Sequence, residues 1–226
     1  MVHPLIESLK GRLIVSVQAY PGEPMRTPDT MARIALAAQI GGAAAIRCQG
    51  VADIAAIKGQ VQVPVIGLWK EGENIPYITP TLRHARACSL AGADVVAIDA
   101  GRGPRPDGRT YAEVVEALHD DGILVMADCG SMEDARMAFA AGTDILSTTM
   151  AGYSGEREKT EGPDIELLEE MVAEFPDTPV ICEGRVHTPA QAADVIARGA
   201  WAVVVGTAIT HPTSITTWFV EAVKEE

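Results

Sequence analysis

The sequence predicts one closed (β/α)8 barrel of the TIM type, and three observations carry that expectation. Short runs rich in Val and Ile recur eight times along the 226 residues, each followed by a segment with helical periodicity. The runs are apolar almost throughout instead of alternating with polar residues, as parallel strands covered on both faces should be. Four of the helical segments end in a Gly-containing phrase, at 41–43, 91–94, 141–144 and 198–200, that leads at once into the next run. Gly just past a helix end is the expected stop where a helix turns directly into a strand. An open doubly wound sheet also alternates, but eight consecutive units favour closure, and no G-x-G-x-x-G follows the first run. A single domain over residues 1–226 is expected, with no linker or low-complexity tract.

Taken in order, residues 3–10 read as a short amphipathic helix ahead of the first strand at 13–18. Helix 27–40 stops at Gly41-Gly42 and feeds strand 43–48, after which come helix 51–59, strand 63–68 and helix 80–91. Strand 94–99, helix 110–120, strand 123–128 and helix 132–141 continue the alternation, and strand 144–147 follows the Ala141-Gly142 stop. The longest connection, 149–163, is Gly-rich and polar, and a loop of that length in a compact barrel suits an active-site lid. Helix 164–175, strand 179–183, helix 189–198, strand 201–206 and a last helix at 213–224 complete the chain.

Charge and composition narrow the possible roles. A formal net charge of −13 leaves no basic face for non-specific nucleic-acid or anionic-membrane binding. An anionic ligand would need a local cluster of Arg, Lys and backbone N–H groups. Cys48, Cys88, Cys129 and Cys182 are too widely spaced for a disulfide scaffold or a C-x-x-C metal site and read as buried thiols in a reducing compartment. No apolar run approaches a membrane span and no h-region opens the chain, so a cytoplasmic protein is expected.

In such a barrel the chemistry belongs to the carboxyl ends of the strands. Those ends carry Gln18, Arg47, Lys70, Asp99, Asp128, Thr148 with Thr149, Glu183 with Arg185, and Gly206 with Thr207. Any one of these could be a helix cap; together, on one rim, they read as a site. Strands seven and eight both stop at Gly (Glu183-Gly184 and Gly206-Thr207) and feed helices, which would aim free backbone N–H groups at one point and suit a phosphate. Lys70 follows an apolar strand and Trp69, where desolvation would lower its pKa; Glu183 sits where burial would raise its own. Facing each other across the mouth, the two could move a proton on a carbon next to a carbonyl, with Arg47 stabilising the enolate oxygen. Arg102, Arg105 and Arg109 lie in a Gly/Pro-rich loop, either solvated or in contact with substrate. His3, His84 and His119 read as surface or terminal residues, no histidine spacing suggests a metal, and Ser16 and Ser154 lack a His partner for a nucleophilic triad.

Longer phrases then carry a resemblance: Leu-Ile-Val-Ser-Val-Gln-Ala at 13–19, Val-Pro-Val-Ile-Gly-Leu-Trp-Lys at 63–70, Tyr-Ile-Thr-Pro-Thr at 77–81 and Ala-Gly-Ala-Asp-Val-Val-Ala-Ile-Asp-Ala at 91–100. Asp-Ile-Leu-Ser-Thr-Thr-Met-Ala-Gly-Tyr at 144–153 and Glu-Gly-Arg-Val-His-Thr-Pro-Ala-Gln-Ala at 183–192 extend it. The chain resembles the N-acylglucosamine-6-phosphate 2-epimerases, which interconvert N-acetylmannosamine 6-phosphate and N-acetylglucosamine 6-phosphate in amino-sugar and sialic acid breakdown. The resemblance implies a (β/α)8 barrel that grips phosphate at strands seven and eight, with no metal and no organic cofactor. It implies Lys70 and Glu183 as the acid/base pair, and Gln18, Arg47, Asp128, Arg185 and Thr149 around the substrate. Phosphate contacts are implied at Gly184, Gly206 and Thr207. The chain departs from the family pattern with Glu71-Gly72 after the lysine, Val17 before Gln18, Gly101 after Ala100, and His211 where an Arg is usual. His211, when protonated, could take over that arginine's contact with phosphate.

Other readings stay open on the same residues. The barrel could host another phosphosugar isomerase, or an aldolase in which Lys70 forms a Schiff base. It could also bind a phosphosugar without turnover. Ile215, Trp218 and Phe219 on the last helix either cover the barrel or dock a second subunit, and a homodimer is expected.

Overall fold

The computed structural model describes residues 2–72, 76–154 and 157–224. Eight parallel strands close into a barrel in sequence order: β1 (Arg12–Val17), β2 (Ala45–Gln49), β3 (Val65–Leu68), β4 (Val95–Asp99), β5 (Leu124–Asp128), β6 (Ile145–Ser147), β7 (Val180–Glu183) and β8 (Ala202–Val205), with β8 pairing back onto β1. Helix α1 (Pro4–Glu7) precedes β1, and helices α2 (Pro28–Ile40), α3 (Val51–Lys58), α4 (Leu82–Leu90), α5 (Tyr111–Asp120), α6 (Met132–Ala140), α7 (Ile165–Glu174) and α8 (Pro189–Ala197) follow the strands in turn. After β8 come a single turn, α9 (Thr207–Thr210), and the last helix, α10 (Pro212–Ala222).

Strand parity sorts the side chains into two cores. Val15, Ile46, Val65, Val96, Ile98, Val125, Ala127, Cys182 and Val203 point outward and pack against the helices. Ile14, Ala45, Ile66, Val95, Ala97, Met126, Ile145, Ile181 and Ala202 point inward and fill the barrel. Ile6 and Leu9 join that inner cluster from the α1 segment, so this segment stoppers the amino-terminal end. Trp201 fastens it by donating its indole N–H to the Ile6 carbonyl at 2.9 Å. The outward parity also explains Gly67 in the middle of β3: a Cβ there would come within 2.6 Å of the Ala93 Cβ and 2.9 Å of Ile54, closing the gap in which α3 and the β4 approach pack.

Most expected elements form within a few residues of their predicted bounds. The opening helix shrinks to one turn, and α9 appears in a stretch too short to show periodicity. Arg47 stands in the middle of β2 instead of at its end, and Gln18 lies one residue beyond β1.

Candidate active site

One step above the apolar interior the same inward parity continues as Ser16, Arg47, Asp99, Asp128, Ser147 and Glu183. Burying a charge is costly unless it is paired, and here the pairing is dense. Arg47 is 1% exposed and donates through Nη2 to Asp128 Oδ2 at 2.6 Å, and through Nη1 to Asp128 Oδ1 at 3.0 Å and Glu183 Oε2 at 2.6 Å. Thr149 Oγ1 donates to the same Glu183 Oε2 at 3.1 Å and pairs with Ser147 Oγ at 2.6 Å. Glu183 thus has one oxygen tied down, while its backbone is locked to β6 by a reciprocal pair with Thr148: Thr148 Oγ1 donates to Glu183 O at 2.9 Å and accepts from Glu183 N at 3.1 Å. Asp128 is fully buried behind Arg47 and orients it.

These contacts set the titration. Burial raises the Glu183 pKa above the ordinary glutamate value; Arg47 pulls it down, Asp128 pushes it up, and the Thr149 hydrogen bond and Lys70 pull it down. Lys70 follows β3 at the rim, with its backbone bridged antiparallel to Ile78. The residue as a whole is exposed at the rim, but its amine is desolvated by the cleft, so its pKa is lowered first by desolvation and then by the Arg47 charge, against the pull of Glu183 and Asp128. Arg47, stripped of water, still has its pKa raised by its two carboxylates.

Lys70, Arg47, Glu183, Gln18 and Thr149 line a cleft of about 300 Å³ at the carboxyl end of the barrel. Gln18 donates Nε2 to Ser16 Oγ at 3.0 Å, and its buried Oε1 has no partner among the described residues. The β7–β8 side of the cleft is formed by Gly184, Arg185, Gly206, Thr207 and His211. Gly184 (φ 111°) and Arg185 (φ 56°) both occupy the left-handed region, which turns the chain sharply after β7. Gly206 packs on Ser16, where a Cβ would come within 3.2 Å of the Ser16 Cβ. The opening N–H groups of α9, beginning at Thr207, have no acceptor within their own helix.

Two expected contacts take different forms. Arg185 spends its guanidinium on the β6–α7 loop, donating to Gly162 O at 3.0 Å, Ala151 O at 2.8 Å and Thr160 Oγ1 at 2.9 Å. Arg157 pins the far end of that loop through Asp164, at 2.7 Å and 3.0 Å. Residues 155 and 156 of the loop lie outside the described residues. His211 caps α10, its Nδ1 accepting from Ser214 N at 3.3 Å, so its ring proton sits on Nε2, 3.4 Å from Glu23 Oε1.

Several residues enter that the strand-end pattern missed. Tyr20, Tyr77, Met150 and Tyr153 also line the cleft. Asp99 accepts from Tyr77 N at 3.1 Å and Gly101 N at 2.8 Å, and burial still lifts its pKa to about 6. Arg105 is buried and donates to the carbonyls of Pro80, at 3.2 Å, and Asp99, which makes it a strut for the loop. His84 is buried too, contrary to the surface reading: it pairs with Thr81 Oγ1 at 2.6 Å and meets the Trp69 ring edge-on at 4.7 Å. Among the described residues no cluster of three or more His, Cys, Asp or Glu side chains could hold a metal ion.

The family described as "Putative N-acetylmannosamine-6-phosphate epimerase" matches residues 31–225. The chain is 57% identical over 222 residues to "Putative N-acetylmannosamine-6-phosphate 2-epimerase" of Cutibacterium acnes, covering 97% of each. It is 50% identical over 218 residues to the protein of the same name from Corynebacterium glutamicum, covering 95% of this chain and 94% of that one. Among solved structures it resembles the N-acetylmannosamine-6-phosphate 2-epimerase from Clostridium perfringens with a TM-score of 0.93 and 40% identity, over 97% of this chain and 96% of the other. A thiamine phosphate pyrophosphorylase from Pyrococcus furiosus, at TM-score 0.59 and 18% identity over 90% of this chain and 88% of the other, shares the fold alone.

Proposed function

The chain belongs to the N-acetylmannosamine-6-phosphate epimerase family, and we propose that it interconverts N-acetylmannosamine 6-phosphate and N-acetylglucosamine 6-phosphate by moving the proton at C2. The observation that carries the mechanism is the placement of Lys70 and Glu183. They rise from β3 and β7, four strands apart in a ring of eight, and so approach one cleft from opposite sides. Inverting a carbon requires removing a proton from one face and returning one to the other, which suits two groups placed that way.

In the open-chain sugar the C1 aldehyde acidifies C2–H. The proton passes to one member of the pair, the C–H electron pair becomes the C1–C2 enolate, and a proton delivered to the opposite face re-forms the aldehyde with C2 inverted. Their shifts help: a lowered Lys70 pKa leaves more free amine near neutrality, and a raised Glu183 pKa keeps a carboxylic proton closer to hand. Arg47 supplies the positive charge next to the developing enolate oxygen, held in place by Asp128. The backbone turn at Gly184 and the start of α9 at Gly206-Thr207 support a phosphate cradle, with His211 offering its Nε2–H beside them. Gln18 and Thr149 face the sugar between the two ends, and Arg185 contributes by fixing the adjoining loop. No cofactor enters this scheme.

Proton NMR of the protein with N-acetylmannosamine 6-phosphate in D2O tests the scheme directly. The gluco epimer should appear with deuterium at C2; epimer formed with the original C2 proton retained would overturn it.

The same reading extends to assembly and location. Phe219 is 71% exposed on α10 with Val220 and Val223 beside it, and no α10 side chain is buried, which supports a homodimer formed through this helix. Light scattering on the purified protein would decide between one copy and two. Among the described residues no helix is long and apolar enough to cross a membrane. The four free, buried thiols suit a reducing compartment such as the cytoplasm.

A further inference from the structure

On the β3 side the wall of the cleft turns apolar. Ile78 and Met150, each 2% exposed, belong to the inner apolar cluster there, with the half-buried Tyr77 packed against it. The Tyr77 hydroxyl donates to the Met150 thioether sulfur at 3.6 Å, its one partner among the described residues. A thioether is a weak acceptor, so a carbonyl oxygen entering the cleft would compete well for this single O–H. Burial and the nearby negative charges of Asp99 and Asp128 push its pKa up to about 12, which keeps the proton on the oxygen at neutral pH.

The backbone that carries this ring is also held in place. Asp99 accepts from Tyr77 N at 3.1 Å, Tyr77 O accepts from Glu71 N at 3.0 Å, and the neighbouring Ile78 bridges Lys70 across the hairpin. The Tyr77 backbone is therefore fixed against the backbone of Lys70, whose amine would act at C2.

We propose that Tyr77, Ile78 and Met150 form the pocket for the N-acyl group of the substrate, the Tyr77 hydroxyl donating to the acyl carbonyl oxygen. The proposal rests on the epimerase reading, because that reading places C2 between Lys70 and Glu183. The acyl group hangs from C2 itself, so it lies within reach of the hairpin that carries Lys70. It is the substituent that combines an apolar methyl with a neutral carbonyl acceptor, matching a wall of Ile78 and Met150 with one donor held only by a thioether. The phosphate cradle lies on the far side, at β7 and β8.

Calorimetric titration of the wild type and Tyr77→Phe with N-acetylglucosamine 6-phosphate and with glucose 6-phosphate separates the possibilities. The wild type should prefer the acylated sugar. Tyr77→Phe should lose about tenfold in affinity for it, the scale of one hydrogen bond, and stay within about twofold for glucose 6-phosphate. Equal losses for both sugars would overturn the proposal. Equal wild-type affinity for both would also overturn it, while leaving the epimerase reading intact so long as deuterium still enters C2. A wild type that binds neither sugar would remove that reading and the proposal with it. Independently, Met150→Ala should raise affinity for the N-butanoyl homologue relative to the N-acetyl sugar several-fold, and an unchanged ratio would count against the pocket.

Discussion

The inside of this barrel has two storeys built on one strand parity, and on six of the eight strands they differ in chemistry, Leu68 and Val204 keeping β3 and β8 apolar. Ile14, Ala45, Ala97, Met126, Ile145 and Ile181 make the lower storey; Ser16, Arg47, Asp99, Asp128, Ser147 and Glu183 stand two residues further along the same strands. The step between them is only about 6.6 Å along each strand. The outward residues between the two storeys, such as Val15, Ile46, Ile98 and Cys182, stay apolar and keep the helices packed. The lower storey is held by filled volume and the upper one by mutual neutralisation, with Arg47 between two carboxylates. A barrel can thus carry a charged site at no cost to its helix–strand layer, provided the charges compensate one another.

Removing the central cation should break the comparison hardest. In Arg47→Met, Asp128 stays fully buried with no partner of opposite charge, and breaking a buried pair in this way costs about 3–5 kcal/mol. Turnover should disappear along with the stability. Arg47 holds the Glu183 pKa down, so without it Glu183 keeps its proton to higher pH in the folded state and the deficit should shrink as pH falls into the carboxylate range. Urea unfolding at several pH values reads both effects; a deficit below about 1 kcal/mol at neutral pH would show that packing, and not charge, holds the upper storey.

Glu183→Gln separates catalysis from stability in the same storey. Arg47 keeps both of its bonds to Asp128, so stability should change little. Loss of an acid/base group should lower turnover by about 10²–10⁴-fold. A rate within tenfold of wild type would remove Glu183 from the proton path.

Asp99 tests a carboxylate of the upper storey whose side-chain oxygens accept from backbone N–H groups, the Arg105 guanidinium donating to its main-chain carbonyl. Its folded pKa of about 6 lies above the ordinary aspartate value, so the folded state holds the extra proton. The stability this group contributes is therefore full below about pH 4 and is lost as pH rises through 6; a shift of about two units is worth roughly 3 kcal/mol. Thermal melts of Asp99→Asn at pH 4.5 and 7.5 should show a smaller loss on going to the higher pH than the wild type does. Identical pH dependence in the two proteins would mean that another group carries it.

Much of this arrangement was legible in the sequence because parallel strands and barrel rims leave regular traces. Apolar runs, four of them announced by a Gly at the preceding helix end, located the strands, and the polar residues at their ends include Gln18, Arg47, Lys70, Thr149 and Glu183, which share one cleft. What stayed hidden depends on contacts between distant segments. His84 read as a surface residue and Arg105 as either solvated or in contact with substrate, yet Trp69 packs edge-on against the one and the carbonyls of Pro80 and Asp99 take up the other. Tyr77 sits in a hairpin whose pairing with Glu71 leaves no periodicity to read, and α9 is a single turn. The direction taken by Arg185 follows from a left-handed backbone that the Gly184-Arg185 dipeptide does not announce.

The smallest effect belongs to the lower storey and tests whether the two are mechanically separate. Ile181 lies on β7 two residues below Glu183 and is fully buried in the inner cluster. Ile181→Val removes one methylene and should cost about 0.5–1.5 kcal/mol, with the neighbouring apolar side chains absorbing part of the gap. Glu183 is anchored sideways, through Arg47, Thr149 and the Thr148 pair; Thr148 N also donates to the Ile181 carbonyl, but none of these contacts uses the Ile181 side chain. Turnover should therefore stay within about twofold of wild type, a barrier change of roughly 0.4 kcal/mol. If turnover fell tenfold while stability dropped by no more than expected, the position of Glu183 would depend on the volume beneath it, and the two storeys would have to be treated as one packed unit.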